Sequence, residues 1–345
     1  MEGSVLITGG TGFIGGAFAR HLLTRTDIAV RLLGRNFGKS ADLVALGGRP
    51  LQTDLRDREG VIAACDGVDT VFHIGALSAP WSPGGRRDFY NVNVLGTENL
   101  LEGCRRAGVR RLVYVSSPSV VFGGADHRNL AEDAPYPQHF ASAYSWSKKL
   151  AEDRVRAAGQ AGIHTIILRP KAVFGPGDTS LLPRLIAAAR AGRLPQIGDG
   201  TNAVDLTPVE NVVHALCLCQ TAPPEAWGHT FTITGGESAL LWDVIRCVLR
   251  ALKIPDPRRQ IPLRVALLAA GLMEVRAAVT KKEPLLTRYS ALILARTQTY
   301  DISAARRSLG YAPIRSLAEG IERTIAALKQ DAAREEVEEM PVHAA

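Results

Sequence analysis

The 345-residue chain lacks the marks of several large protein classes. Its 41 lysines and arginines exceed 34 carboxylates and leave a net charge of +7, yet they are scattered and carry no interleaved aromatic residues. No nucleic-acid partner is therefore expected, and an anionic substrate or cofactor is a better use of the charge. The five cysteines (Cys65, Cys104, Cys217, Cys219 and Cys247) fit neither zinc nor CxxC spacing, and no metal constellation is visible. Their odd number suits a reducing cytosol better than a disulfide framework. A strand-like run begins at Ser4, so no signal peptide is expected and the expected location is cytoplasmic. The most apolar stretch, "IPLRVALLAAGLMEVRAAV", is free of charge only from Val265 to Met273, far too short to span a bilayer. The segment from Ile261 to Val279 is expected to wall an apolar pocket; the alternative is peripheral contact with a membrane surface. Internal repeats are absent.

What is present is an ordinary globular composition, 46% hydrophobic and 22% charged, long enough for one large α/β domain or two that share an interface. Up to Pro170, short β-branched runs alternate with longer helical ones: "VLITGG", "AVRLLGR", "PLQTDLRD", "DTVFHIGA", "RLVYVSS" and "HTIILRP" read as strands. Continuous apolar strands separated by helices predict a parallel sheet covered on both faces. After Pro170, glycine and proline become frequent, helices dominate, and only "HTFTIT" reads clearly as another strand. The expected division is residues 1–169 plus about 208–234 as a nucleotide-binding domain. Residues of about 170–207 and 235–330 form an interleaved, smaller and mostly helical substrate-binding portion, and 331–345 an acidic tail.

The first strand–helix junction, "VLITGGTGFIGGAF", carries Gly9, Gly12 and Gly15 at three-residue spacing, with Thr11, Phe13 and Ile14 completing the loop. Gly9 permits a tight turn, Gly12 lets the backbone approach a pyrophosphate, and Gly15 allows close helix–strand packing at a helix N-terminus. The expected fold is a Rossmann-type doubly wound parallel sheet binding a dinucleotide. An NAD site places a carboxylate at the end of the second strand, but "RLLGRN" offers Gly34 and then Arg35. A permanently charged planar fork suits the 2′-phosphate of NADP, so NADP is favoured and NAD remains open; the competing reading is a solvated Arg35. Asp54 is positioned to accept from the adenine amino group and Leu55 to pack on the ring, whereas Asp57 competes as a helix cap.

Farther on, "AYSWSKKLAEDRVRAA" sets Tyr144 and Lys148 one helical turn apart on one face. Alone, such a pair is more often a surface feature. Together with "TGGTGFIG", "DLRD", "HIGA", "NVNVLGT", "VSSPSVVFG" and "LRPKAVFGPGD", it resembles the extended short-chain dehydrogenase/reductase family over nearly the whole chain. Within that family the sequence is most similar to the 3β-hydroxysteroid dehydrogenase-like branch, which includes sterol-4-carboxylate dehydrogenases and 2-alkyl-3-oxoalkanoate reductases.

The resemblance implies Tyr144 as catalytic acid/base, Lys148 as its electrostatic partner and ribose ligand, and Ser117 as the carbonyl-binding serine, with Ser116 and Ser119 still open. It implies that Asn93 bends its helix and supports a water linked to the lysine, and that Gly75, Ala76, Pro170, Ala172 and Val173 lie along the cofactor. Chemically, a free tyrosine is too weakly acidic to act as a base at neutral pH, and Lys148 together with the oxidised nicotinamide is expected to lower its pKa. The expected activity is NAD(P)-dependent interconversion of a secondary alcohol and a ketone on a lipophilic or carboxylic-acid substrate, of steroid or 2-alkyl-3-oxo acid type, by a homodimer. The alternatives are a sugar-nucleotide epimerase or dehydratase, with Arg184, Arg193 and Arg288 as candidate diphosphate ligands, and a non-catalytic nucleotide-binding regulator. His73, His164 and His214 read as packing residues.

Overall fold

The computed structural model describes residues 3–25, 27–179 and 181–338, with side chains through 332. Seven parallel strands form its main sheet: β1 (Ser4–Thr8), β2 (Ala29–Gly34), β3 (Arg49–Gln52), β4 (Thr70–His73), β5 (Arg111–Val115), β6 (His164–Pro170) and β7 (Thr230–Ile233). Their order is β7-β6-β5-β4-β1-β2-β3, a doubly wound arrangement. The central strands are apolar on both sides because helices cover both faces. Phe18, Leu22, Val212 and Leu216 pack on one face, and Leu100, Cys104, Ala151 and Val155 on the other. The order reverses between β1 and β4, and in such sheets ligands sit outside the carboxyl ends of the strands at that crevice.

The strand content after Pro170 exceeds the expectation of one further strand. Ser238–Leu240, Ala203–Asp205, Gln298–Tyr300 and His127–Leu130 form a second, four-stranded sheet. Strands of three or four residues are too short for a period of two to stand out. The second sheet matters for the site, because it ties residues near 127, 205 and 300 together behind the ends of β5 and β6.

Helix Leu263–Thr280 departs from expectation in orientation. It turns Ala266, Ala270 and Ala277 inward, while Val265 (53% exposed), Leu268 (70%), Leu272 (67%), Val275 (67%) and Val279 (80%) face outward. Small alanines allow close approach to the body of the protein, and the large side chains take the other face. Among the described residues no helix is long and apolar enough to cross a membrane. The C-terminal helix Leu317–Glu338 takes in the first part of the expected acidic tail, and 339–345 lie outside the described residues.

Candidate active site

The glycine loop closes onto the switch point. Gly9 has φ +68°, and a Cβ there would meet Gly75 Cα at 2.6 Å. A Cβ on Gly15 would lie 2.2 Å from the Gly9 carbonyl oxygen, and Gly12 N donates to that same oxygen at 2.9 Å. Gly75 is in turn held by a bond from its N–H to Thr8 Oγ1 (3.1 Å). A Cβ on Gly75 would lie 3.0 Å from Gly9 N, so the two backbones approach closely here. The ring of Phe13 reaches the Gly175–Gly177 loop, and Ile14 packs against the core at the start of helix Phe13–Arg25. This bare backbone cradle at a helix N-terminus fits a dinucleotide pyrophosphate.

Gly34 ends β2 buried, and a Cβ there would lie 2.8 Å from both Cγ2 and Oγ1 of Thr11. A carboxylate at this position has no room while Thr11 keeps its place, and the exposed Arg35 follows directly. Asp54 is gripped by Arg56, whose Nε and Nη2 donate at 2.8 and 2.9 Å and whose backbone N–H donates at 2.9 Å. That grip holds its carboxyl below the usual range. Leu55 packs beside Gly75 and Gly96, Ala76 is half-buried, and Asp57 caps helix Arg58–Ala64 through Gly60 N.

Tyr144 and Lys148 lie on helix Ala143–Gln160, which Ser142 caps by accepting from Ser145 N at 3.0 Å. Lys148 Nζ is buried at the end of β5, donating to the Val115 carbonyl (2.6 Å) and lying 4.1 Å from the centre of the Tyr114 ring. Burial lowers its pKa to about 7, and Glu152 one turn further on works against that. The three serines separate by geometry. Ser116 Oγ donates to Glu152 (2.6 Å), which also takes 2.8 and 2.7 Å bonds from Arg169 and is held near pKa 2 despite its burial. Ser117 faces the Tyr144 phenol and favours its ionised form. Ser119 is buried, approaches the Tyr289 phenol and closes no hydrogen bond of ordinary length with it.

The protein's own groups push the Tyr144 pKa up, burial first and then the neighbouring Tyr289, with Ser117 alone opposing. The Lys148 ammonium is turned to the Val115 carbonyl. Asn93 sits in a π-helical turn, Tyr90–Leu95, between helical segments. Its side chain accepts from Leu77 N (2.7 Å) and donates to Leu77 O (3.1 Å) and Ser147 Oγ (2.9 Å).

Beyond the buried Pro170, Ala172 has φ +42°, a left-handed conformation costing roughly 1–2 kcal/mol in a non-glycine residue. Thr207 anchors both sides of the kink, with its hydroxyl on the Lys171 carbonyl and its N–H on that of Ala172. Val173 follows in the short strand Val173–Phe174, paired with Thr207–Pro208. An apolar cavity of about 60 Å³ opens here, lined by Lys171, Ala172, Leu185, Val244, Ile245 and Ile293 among others. Nothing from Ile261–Val279 lines it, so that segment does not wall this cavity. Sequence reasoning missed Lys171, which lines the cavity, and Asp205, Tyr289, Gln298 and Tyr300, which neighbour one another and it. A lysine directly after a buried strand in "LRPK" was the one available signal.

Other candidates are engaged elsewhere. Arg184 pairs with Glu283 (2.6 Å) and Arg288 with Glu274 (2.7 Å), whereas Arg193 is exposed. His73 is bridged between the hydroxyls of Thr8 (2.7 Å) and Thr97 (2.9 Å), and burial holds it neutral at about pKa 3. No metal-holding group of His, Cys, Asp or Glu occurs among the described residues.

The model of the 3-beta hydroxysteroid dehydrogenase/isomerase family matches residues 6–263. The chain belongs to this family. A 2-alkyl-3-oxoalkanoate reductase of Stenotrophomonas maltophilia is 36% identical, over 92% of this chain and 97% of the relative. A human decarboxylating sterol-4-alpha-carboxylate 3-dehydrogenase is 34% identical, over 92% of this chain and 86% of that one. Among solved structures, a dTDP-glucose 4,6-dehydratase from Streptomyces venezuelae with NAD bound superposes with a TM-score of 0.77 at 25% identity, covering 96% of this chain and 98% of that one. As a member of the family, the chain is an NAD(P)-dependent oxidoreductase.

Proposed function

We propose that the enzyme interconverts a secondary alcohol and a ketone on a lipophilic 3-hydroxy/3-oxo acid, with NADP(H) preferred. The observation that carries this reading is the gathering of Ser117, Tyr144 and Lys148 at the end of β5; an apolar cavity lined by Lys171 and Ala172, just past the end of β6, supports a lipophilic substrate. Ser117 donates to the substrate oxygen. Tyr144, protonated at neutral pH because of its raised pKa, gives its proton to that oxygen as negative charge develops on the carbonyl reduced. Lys148 completes the site and binds the ribose, and Asn93 holds its helix and the Leu77 backbone in place. When bound, NADP(H) supplies or accepts the hydride. Gly9, Thr11, Gly12, Phe13, Ile14 and Gly15 would hold its pyrophosphate, Arg35 its 2′-phosphate, and Asp54, Leu55, Gly75 and Ala76 its adenosine side. Pro170, Ala172 and Val173 would flank the nicotinamide.

The sugar-nucleotide alternative has less support, since Arg184 and Arg288 are already committed to ion pairs. We also read residues 1–169 with about 208–234 as the cofactor portion, and the helices carrying Asn93 and Tyr144 as the surface of a homodimer. NADP⁺ reduction with a panel of 2-alkyl-3-hydroxy acids, 3-hydroxysteroids and UDP-sugars tests the function. Turnover of an acid or steroid supports it, and conversion of a UDP-sugar alone would overturn it.

A further inference from the structure

Behind the turn that carries Ser117 lies a second polar cluster, fed by four separate segments. Lys171 is 8% exposed, and its Nζ donates to Gln298 Oε1 at 2.7 Å and lies 5.5 Å from the centre of the Tyr300 ring. Among the described residues no carboxylate comes within ion-pair distance of it. Asp205, the acid of the cluster, accepts instead from Tyr300 N at 2.8 Å. Tyr300 Oη, Gln298 Nε2 and His127 Nε2 are buried with no hydrogen-bond partner among the described residues. Tyr300 and Gln298 are 6% and 1% exposed. A buried ammonium with one neutral acceptor, beside unpaired donors, costs stability unless something completes it. Burial accordingly lowers Lys171 to about pKa 8 and raises Asp205 to about 6.

The cluster adjoins the reaction site. Ser119 N donates to Ser117 Oγ at 3.2 Å, and Tyr300 packs against Val120 and Val121 of the same turn. Tyr289 neighbours both Tyr144 and Tyr300. Lys171 also contributes to the lining of the apolar cavity. We propose that Lys171, Tyr300 and Gln298 form a carboxylate subsite that holds the acid group of the substrate beside its reacting carbon. In a 2-alkyl-3-oxo acid the carboxylate and the alkyl chain leave the same carbon, next to the carbonyl. Lys171 lines the cavity, and its ammonium, held at Gln298, sits over the Tyr300 ring that packs against the turn after Ser117, an arrangement that matches this branching. The inference rests on the ketoreductase reading and adds the group that selects an acid over a plain ketone.

The test compares a 2-alkyl-3-hydroxy acid with the secondary alcohol that lacks its carboxyl, both oxidised with NADP⁺ by wild type, Lys171→Met and Tyr300→Phe. Lys171→Met should lower the acid-to-alcohol ratio of kcat/KM at least tenfold, and Tyr300→Phe severalfold. A merely structural role lowers both substrates together and leaves the ratio where it was, which would overturn the proposal. If Lys171→Met fails to fold, Lys171→Gln and Tyr300→Phe decide it by the same ratio. If wild type oxidises neither compound, the acid reading of the substrate fails, and calorimetric titration of the NADPH-loaded protein with the hydroxy acid decides the subsite. Weaker binding to Lys171→Met would keep it, and equal binding would sink it.

Discussion

Two lysines lie buried, Lys148 against the end of β5 at 1% exposure and Lys171 just past the end of β6 at 8%. Both lose basicity by desolvation, to about 7 and about 8. Their surroundings are built differently. Lys148 is placed by one helix and one strand end, with Tyr144 a turn before it and Glu152 a turn after. Lys171 meets Gln298 and Tyr300, with Asp205 held at the Tyr300 backbone, and the second sheet brings these residues together. A buried ammonium can therefore be a local motif or a tertiary assembly, and we read the first as chemistry and the second as recognition.

Substitutions at each lysine's surroundings test that contrast. The largest effect belongs to the local site: Tyr144→Phe should lower kcat at least about a hundredfold, with cofactor affinity nearly unchanged in a fluorescence titration. A residual activity above a tenth of wild type would remove Tyr144 from its role. On the cofactor side, Arg35→Ala should cost roughly ten- to a hundredfold in NADPH preference, the worth of one charge-assisted contact. Gly34→Asp should impair both cofactors, because its Cβ meets Thr11 at 2.8 Å. Combined with Thr11→Ala and Arg35→Ala, it should turn preference toward NADH, as kcat/KM for the two cofactors will show.

A smaller effect separates the lysines by pH. Each has a native pKa below its ordinary 10.5, so between the two values the unfolded chain binds more protons and wild-type stability rises with pH. Relative to wild type, Lys171→Met should be favoured by at most about 3 kcal/mol at or below pH 8. That advantage should fade toward pH 10.5, as thermal melts across the range will report. For Lys148→Met the same fading should begin one unit lower, near pH 7. Smallest of all, Leu268→Gln and Leu272→Gln should shift stability by less than about 0.5 kcal/mol, since both side chains already face outward.

Legibility followed the same division. The glycine loop, the strand alternation and the Tyr144–Lys148 step are set by spacing along the chain, and the fold shows each at its expected position. The direction of the Tyr144 shift was not legible, because it depends first on burial and then on Tyr289, 145 residues away in "LTRYS". The second sheet escaped notice because its strands are short. Helix Leu263–Thr280 is apolar on both faces, so composition could not say that alanine would win the inner one.

The most direct test of the division between chemistry and recognition is the pair of steady-state constants for one 2-alkyl-3-hydroxy acid in Tyr144→Phe and Lys171→Met. We expect Tyr144→Phe to lose kcat with little change in KM, and Lys171→Met to raise KM by more than it lowers kcat. Loss of kcat alone in Lys171→Met, or a raised KM alone in Tyr144→Phe, would contradict the account.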